Sequence, residues 1–182
     1  MTPKLRSRLL LLALAVIFLA PPLVAYVLYA SGWQPTQTRN HGTLVQPPID
    51  LGALALHRAD GSRYEWEPQE RRWRVAVVPP TDCAVACVEL IAGLDKVWQL
   101  QGRRADRLDV LWFGEVPEGA TPFRRFVPMQ RDDDFVERLP ELARSGRPNA
   151  YLIDPRGFVA LRYAPDFDLA HLREDVAQLL KH

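Results

Sequence analysis

The sequence predicts a layered α/β domain of about 150 residues held behind one membrane-crossing helix. Three observations carry this. Leu9 to Ala30 is an almost unbroken apolar run. Beyond residue 50, short β-branched runs alternate with helical patterns. Cys83 and Cys87, the two cysteines of the chain, sit where one such run gives way to a helix.

The chain has 182 residues, 48% hydrophobic and 25% charged, with a formal net charge of +1. That balance excludes a polyelectrolyte tail and offers no electrostatic footprint for nucleic acid. The apolar run, LLLLALAVIFLAPPLVAYVLYA, would reach roughly 33 Å as a helix, enough to span a hydrocarbon core. Pro21-Pro22 kinks such a helix rather than abolishing it. Lys4, Arg6 and Arg8 precede the run with no acidic residue beside them. The positive-inside rule then places residues 1–8 in the cytoplasm, 9–30 in the bilayer and the rest outside. A cleaved signal peptide is the competing reading. Cleavage after Ala20, Ala25 or Ala30 would put Phe18, Leu23 or Leu28 at the −3 position, where small residues are required.

Residues 31–50, polar and proline-bearing, read as a linker, and 51–182 as the exported domain. Leu51–His57 and Ser62–Trp66 read as two strands of a hairpin turning at Asp60-Gly61. Trp73–Val78 (WRVAVV) is a compact buried strand stopped by Pro79-Pro80. Thr81 and Asp82 are candidate N-caps for a helix over Ala84–Leu100, with Val88, Ile91, Leu94, Val97 and Trp98 on one stripe. Leu108–Phe113 (LDVLWF) is a second buried strand, followed by a long proline-rich connection. Asp134–Ala143 is a helix despite Pro140. Tyr151–Ile153 and Phe158–Tyr163 are strands joined by the turn Asp154-Pro155-Arg156-Gly157. Leu169–Leu180 closes the domain as an amphipathic helix facing inward through Leu172, Val176, Leu179 and Leu180. A β–α–β unit followed by a β-hairpin and a last helix, with an N-terminal hairpin added, is the thioredoxin arrangement, of glutaredoxin type.

A four-residue spacing places Cys83 and Cys87 on one helical face with Cα atoms about 6 Å apart, inside disulfide range. Near a helix N-terminus the Cys83 thiolate is favoured, which makes it the nucleophile and the better metal ligand; Asp82 opposes this. Cys87 then serves as resolving thiol or second ligand. A static disulfide is the alternative, although so short a loop gains little from closure.

From Leu51 to Leu180 the chain resembles the Sco family of cytochrome c oxidase assembly factors. The resemblance rests on the Asp60-Gly61 hairpin, the Cys83-x-x-x-Cys87 spacing, the Tyr151–Gly157 stretch YLIDPRG and the anchor. It implies a bacterial inner-membrane protein with a periplasmic domain, which delivers copper to an oxidase subunit or reduces its cysteines, alone or with other assembly factors. It also implies copper, as Cu(I), on Cys83 and Cys87. Val88 stands where the family continues with proline, and Ser145–Ala150 lacks the family's copper histidine. Met129, His41 and His57 could replace that ligand but read as packing or surface residues. Two thiolates alone can hold Cu(I). Pro148, six residues before Asp154, is also similar to the cis-proline of TlpA-type thiol–disulfide oxidoreductases; an ordinary loop proline is the alternative. Two other readings follow: a general periplasmic thiol–disulfide oxidoreductase, and a redox-silent membrane scaffold.

Overall fold

The structure, a computed structural model, describes residues 3–32, 40–80, 83–139 and 147–181. The chain divides into two compact units, Met1–Arg39 and Asn40–His182. In the first, helix α1 (Pro3–Ala30) continues through Pro21 and Pro22. Its Arg8–Ala30 stretch, 23 residues with a mean hydropathy of 2.5, is long and apolar enough to cross a membrane.

The second unit is built on a six-stranded sheet. Its strands are β1 (Thr43–Asp50), β2 (Trp73–Val78), β3 (Leu108–Phe113), β4 (Phe126–Met129), β5 (Asn149–Ile153) and β6 (Phe158–Tyr163). They lie in the order β1-β6-β5-β2-β3-β4. β2, β3 and β4 run parallel, while β5 opposes β2 and β6, and β6 opposes β1. Helices α2 (Val85–Gln99), α3 (Asp133–Arg138) and α4 (Leu169–Leu179) complete the domain.

Period-two alternation builds both faces of the central strands. Val75, Val77, Val110, Trp112 and Leu152 pack with Ile91 and Leu94 of α2 and Leu172 and Val176 of α4. Ala76, Val78, Leu111, Phe113 and Ile153 pack on the other face, with Leu51, Leu56, Tyr64 and Phe135. Strands with both faces covered read as continuous apolar runs, which is why WRVAVV and LDVLWF stand out.

Four expectations are corrected. The presumed linker over 31–50 contains β1, an edge strand whose register shifts between Leu44 and Ile49 around Pro47-Pro48. Those prolines hid it, because they cannot donate to a ladder. Its entry is tied down as well: the buried Asp175 carboxylate accepts from the backbone N–H groups of His41 (3.0 Å) and Gly42 (2.9 Å) and from the Tyr163 hydroxyl (2.7 Å). The expected hairpin is a tight turn with one antiparallel bridge, His57 to Arg63, rather than two strands. Leu51, Leu56, Tyr64 and Trp66 are buried there by side-chain packing. The long connection after β3 contains β4, which carries Pro128. Helix α3 begins at Asp133, capped by the Asp132 side chain on the Phe135 N–H (3.0 Å), and ends at Arg138. Pro140 lies outside the described residues.

Arg74 of β2 is almost fully buried. It donates to the Tyr64 hydroxyl (3.0 Å), the Arg72 and Pro155 carbonyls (2.8 and 3.1 Å) and the Trp66 carbonyl. It thereby fixes the 64–72 segment to the sheet. Gly157 adopts φ +98°, and a Cβ there would stand 2.7 Å from the Gly52 Cα. The Leu51 N–H donates to the Gly157 carbonyl at the same place (2.9 Å).

Candidate functional site

The site begins where β2 stops. Pro79 and Pro80 follow Val78 and cannot extend the ladder. Cys83 comes next among the described residues, and α2 starts at Val85 with Ala84 as its N-cap and no side-chain cap bond. Thr81 and Asp82, expected as caps, lie outside the described residues. The first-turn N–H groups of α2 present their partial positive charge beside Cys83.

Cys83 and Cys87 are joined as a disulfide with Cα atoms 5.5 Å apart, close to the separation expected from the sequence. The two sulfurs are not equivalent. Cys87 is fully buried in the cluster with Ile91 and Leu94, while Cys83 is half-buried and borders an open cavity of about 870 Å³.

Three strand ends shape that cavity. Pro79, Pro80, Val85 and Val88 flank Cys83 on the β2–α2 side. The loop after β3 supplies Gly114 to Glu118. Gly114, at φ +154°, packs against Pro79, and a Cβ there would lie 3.1 Å from the Pro79 Cγ. The Trp112 indole N–H donates to the Glu115 carbonyl (3.0 Å) and holds the start of this loop. Arg131, just beyond β4, donates to the Pro79 carbonyl (3.2 Å). Glu115, Glu118 and Arg131 are exposed, so the rim is polar and the floor apolar. The carboxyl ends of parallel strands are where open α/β sheets place their ligand crevices. That rule, applied to Gly114-Glu115-Val116-Pro117 directly after LDVLWF, was the signal by which these residues could have been found; Arg131 had none.

Of the expected site residues, Cys83 and Cys87 come together and Pro148 does not join them in the cavity. Asn149 pairs with Val78, so Pro148 lies at the same end of the sheet, yet it is not among the cavity's lining residues. Of the two readings of Pro148, the structure has the ordinary loop proline: among the described residues the cis bond is Gln46–Pro47. The chain enters β5 in extended backbone, with the Asn149 side-chain amide donating to the Arg147 carbonyl (3.3 Å). The candidate third copper ligands do not line the Cys83 cavity. Met129 is buried in the core on the opposite face. The His57 backbone forms a β-bridge with Arg63. His41 stacks on His171 with ring centroids 4.0 Å apart, and its Nε2–H donates to the Glu174 carboxylate (3.1 Å). Among the described residues no group of three or more His, Cys, Asp and Glu side chains is arranged to hold a metal.

A disulfide at the corner between a central strand and its crossover helix, with one sulfur facing a cavity, defines a thioredoxin-like domain. Residues 73–182 match the family described as "Transmembrane-like, thioredoxin-like, C-terminal domain", and the chain belongs to that family. Solved structures with this fold include apo Sco1 from Thermus thermophilus (16% identity, 81% of this chain and 99% of that one, TM-score 0.53). They also include yeast Sco1 with copper bound (11%, 80% and 95%, TM-score 0.53). A thiol:disulfide interchange protein from Bacteroides sp. is a third (15%, 78% and 90%, TM-score 0.50). No curated protein matches the chain.

Proposed function

We propose that the chain is a single-pass membrane protein, N-terminus in the cytoplasm, whose exported domain exchanges thiols and disulfides with a partner during assembly of a respiratory oxidase. The observation that carries the chemistry is the inequality of the two sulfurs: Cys83 borders an open cavity and Cys87 is buried behind it. In the reduced form, the Cys83 thiolate attacks a partner disulfide, forming a mixed disulfide and expelling one partner thiolate. The Cys87 thiolate then attacks the Cys83 sulfur, releasing the second partner thiol and closing the Cys83–Cys87 bond. Two electrons pass to the partner. The α2 N-terminus beside Cys83 supports its thiolate. Pro148 contributes at most to the wall a partner meets. The oxidase and the bacterial inner membrane are supported by the Sco resemblance of the motifs and by the shared fold.

A second reading has its own observation: two sulfurs one helical turn apart are a soft donor pair suited to Cu(I) as cargo, passed on by ligand exchange. Anaerobic Cu(I) titration of the reduced exported domain, beside a measured dithiol reduction potential, separates the two. A defined potential with no stoichiometric Cu(I) uptake is the expected result. Tight one-to-one uptake, lost in Cys83→Ser and Cys87→Ser variants, would establish delivery instead. A Cys83→Ser, Cys87→Ser double variant that still supports oxidase assembly would leave the scaffold reading.

A further inference from the structure

A second polar cavity lies on the other face of the sheet from α2, at the end away from Cys83. Arg72 directly precedes β2, Asp109 is the second residue of β3, and Arg125 directly precedes β4. The register sets them side by side: Arg74 pairs with Asp109, and the Val110 N–H donates to the Arg125 carbonyl (2.9 Å). Period-two alternation turns Asp109 toward the face of Leu111 and Phe113, the one covered by Tyr64 and Trp66. Arg58, Glu65, Glu67 and Arg124 join Arg72, Asp109 and Arg125 around an open cavity of about 130 Å³. The length of β2, about 20 Å, separates it from the cysteine corner.

Hydrogen bonding in this cavity is incomplete. The Asp109 side chain is only 5% exposed, and its Oδ1 makes no hydrogen bond among the described residues. The Arg125 guanidinium stands 3.5 Å from that oxygen, beyond normal hydrogen-bond range. The Nε atoms of Arg72 and Arg125 are also buried and donate to no acceptor among the described residues; Asp106 lies 3.8 Å from the Arg125 Nε. Buried polar atoms are paired as a rule. Three such atoms around one cavity call for a ligand with acceptors for two arginines and a donor for one carboxylate. The surrounding charge is positive by one: Arg58, Arg63, Arg72, Arg74, Arg124 and Arg125 stand against Glu65, Glu67, Glu70, Asp106 and Asp109. Arg74 directs its donors to the Tyr64 hydroxyl and to backbone carbonyls, so it adds charge without closing the cavity.

We infer that this cavity binds inorganic phosphate, whose oxygens accept from the Arg72 and Arg125 Nε–H groups and whose P–OH donates to Asp109 Oδ1. Guanidinium groups suit a tetrahedral oxyanion, and a singly charged one balances the excess positive charge. Asp109 sets the selectivity, because a carboxylate only accepts. At neutral pH phosphate keeps a proton to donate. Sulfate has none, so its oxygens and the carboxylate repel. A neutral amide offers both donor and acceptor but leaves the excess charge unmatched. The site stands apart from the exchange reaction proposed at Cys83 and does not depend on it.

The test is isothermal titration of the full chain in dodecyl maltoside micelles at neutral pH, in a buffer free of phosphate and sulfate. Inorganic phosphate should bind one-to-one with a dissociation constant below about 1 mM. Sulfate and acetamide should each bind at least about tenfold more weakly. Arg125→Gln should weaken phosphate by about tenfold or more. Asp109→Asn places a side-chain N–H donor where the carboxylate stood, so it should bring sulfate to within about threefold of phosphate. Glycerol 1-phosphate, which carries the headgroup chemistry of a phospholipid, should bind no tighter than phosphate. Binding about tenfold tighter would move the site to a phosphate ester and overturn the assignment to the free ion. Absence of saturable phosphate binding, or sulfate or acetamide binding as tightly as phosphate, would overturn the inference on the parent chain alone, with no variant needing to fold. Undiminished phosphate binding in an Arg125→Gln chain with the parent's circular dichroism would do the same.

Discussion

Cys83 lies just before α2 and Cys87 in its first turn, and the two differ in what can reach them. Replacing Cys87 with serine should leave the first attack possible and block its resolution, so a mixed disulfide with a peptide substrate should accumulate on non-reducing gels. Replacing Cys83 should abolish that adduct, because the remaining thiol is buried. An adduct of equal yield on Cys87 alone would contradict the assigned order. A second residue-scale consequence concerns Asp109 of β3, buried beside Arg72 (3.7 Å) and Arg125 (3.5 Å). Burial pushes its carboxyl above the ordinary range, against the pull of those guanidinium groups. A carboxyl with a raised folded-state pKa holds its proton more tightly in the fold. Its contribution to stability is then present in acid and is lost as pH climbs above the ordinary value of 3.8 toward the folded one. Asp109→Asn removes that titration, so the urea midpoint of the variant should change less with pH across this window than that of the parent.

At the scale of elements, the buried stripe of α2 joins the cysteine corner to the core. Ile91→Ala should cost about 2–5 kcal/mol of stability in denaturant unfolding, as a large-to-small change at a fully buried position. Arg74 is the polar counterpart: Arg74→Met should cost on the order of 3 kcal/mol, because the Trp66 and Pro155 carbonyls and the Tyr64 hydroxyl lose a buried donor together. The central elements were legible because burial on both faces leaves a plain mark in sequence: WRVAVV, LDVLWF and the Ile91/Leu94/Val97 stripe each fall where expected. The edges were not. β1 carries Pro47-Pro48 and β4 carries Pro128, and an edge strand tolerates proline where a central strand cannot. Neither segment alternates cleanly, so periodicity was silent on both. The cysteine pair was legible from spacing and position alone. Its cavity was only half so: Arg131 reaches Pro79 from just beyond a strand that the sequence did not reveal, and spacing alone left Pro148 open between a cis-proline and an ordinary loop proline.

For the whole molecule, Arg8–Ala30 is long and apolar enough to cross a membrane, and the proposed orientation has a direct check. The full chain in bacterial membranes should resist alkaline carbonate extraction, and protease added to spheroplasts should digest the domain while sparing the N-terminus. Protection of the domain would reverse the orientation. The pressing of Gly157 onto Gly52 reaches further than its size suggests. The segment from Leu51 to Trp66 covers one face of the sheet, and it docks at the β5–β6 turn through a gap that admits no methyl group. Gly157→Ala should therefore act as a wedge under that cover, exposing Leu56 and Tyr64 to water and speeding limited proteolysis between residues 52 and 72, while the disulfide on the far side of the strands stays closed.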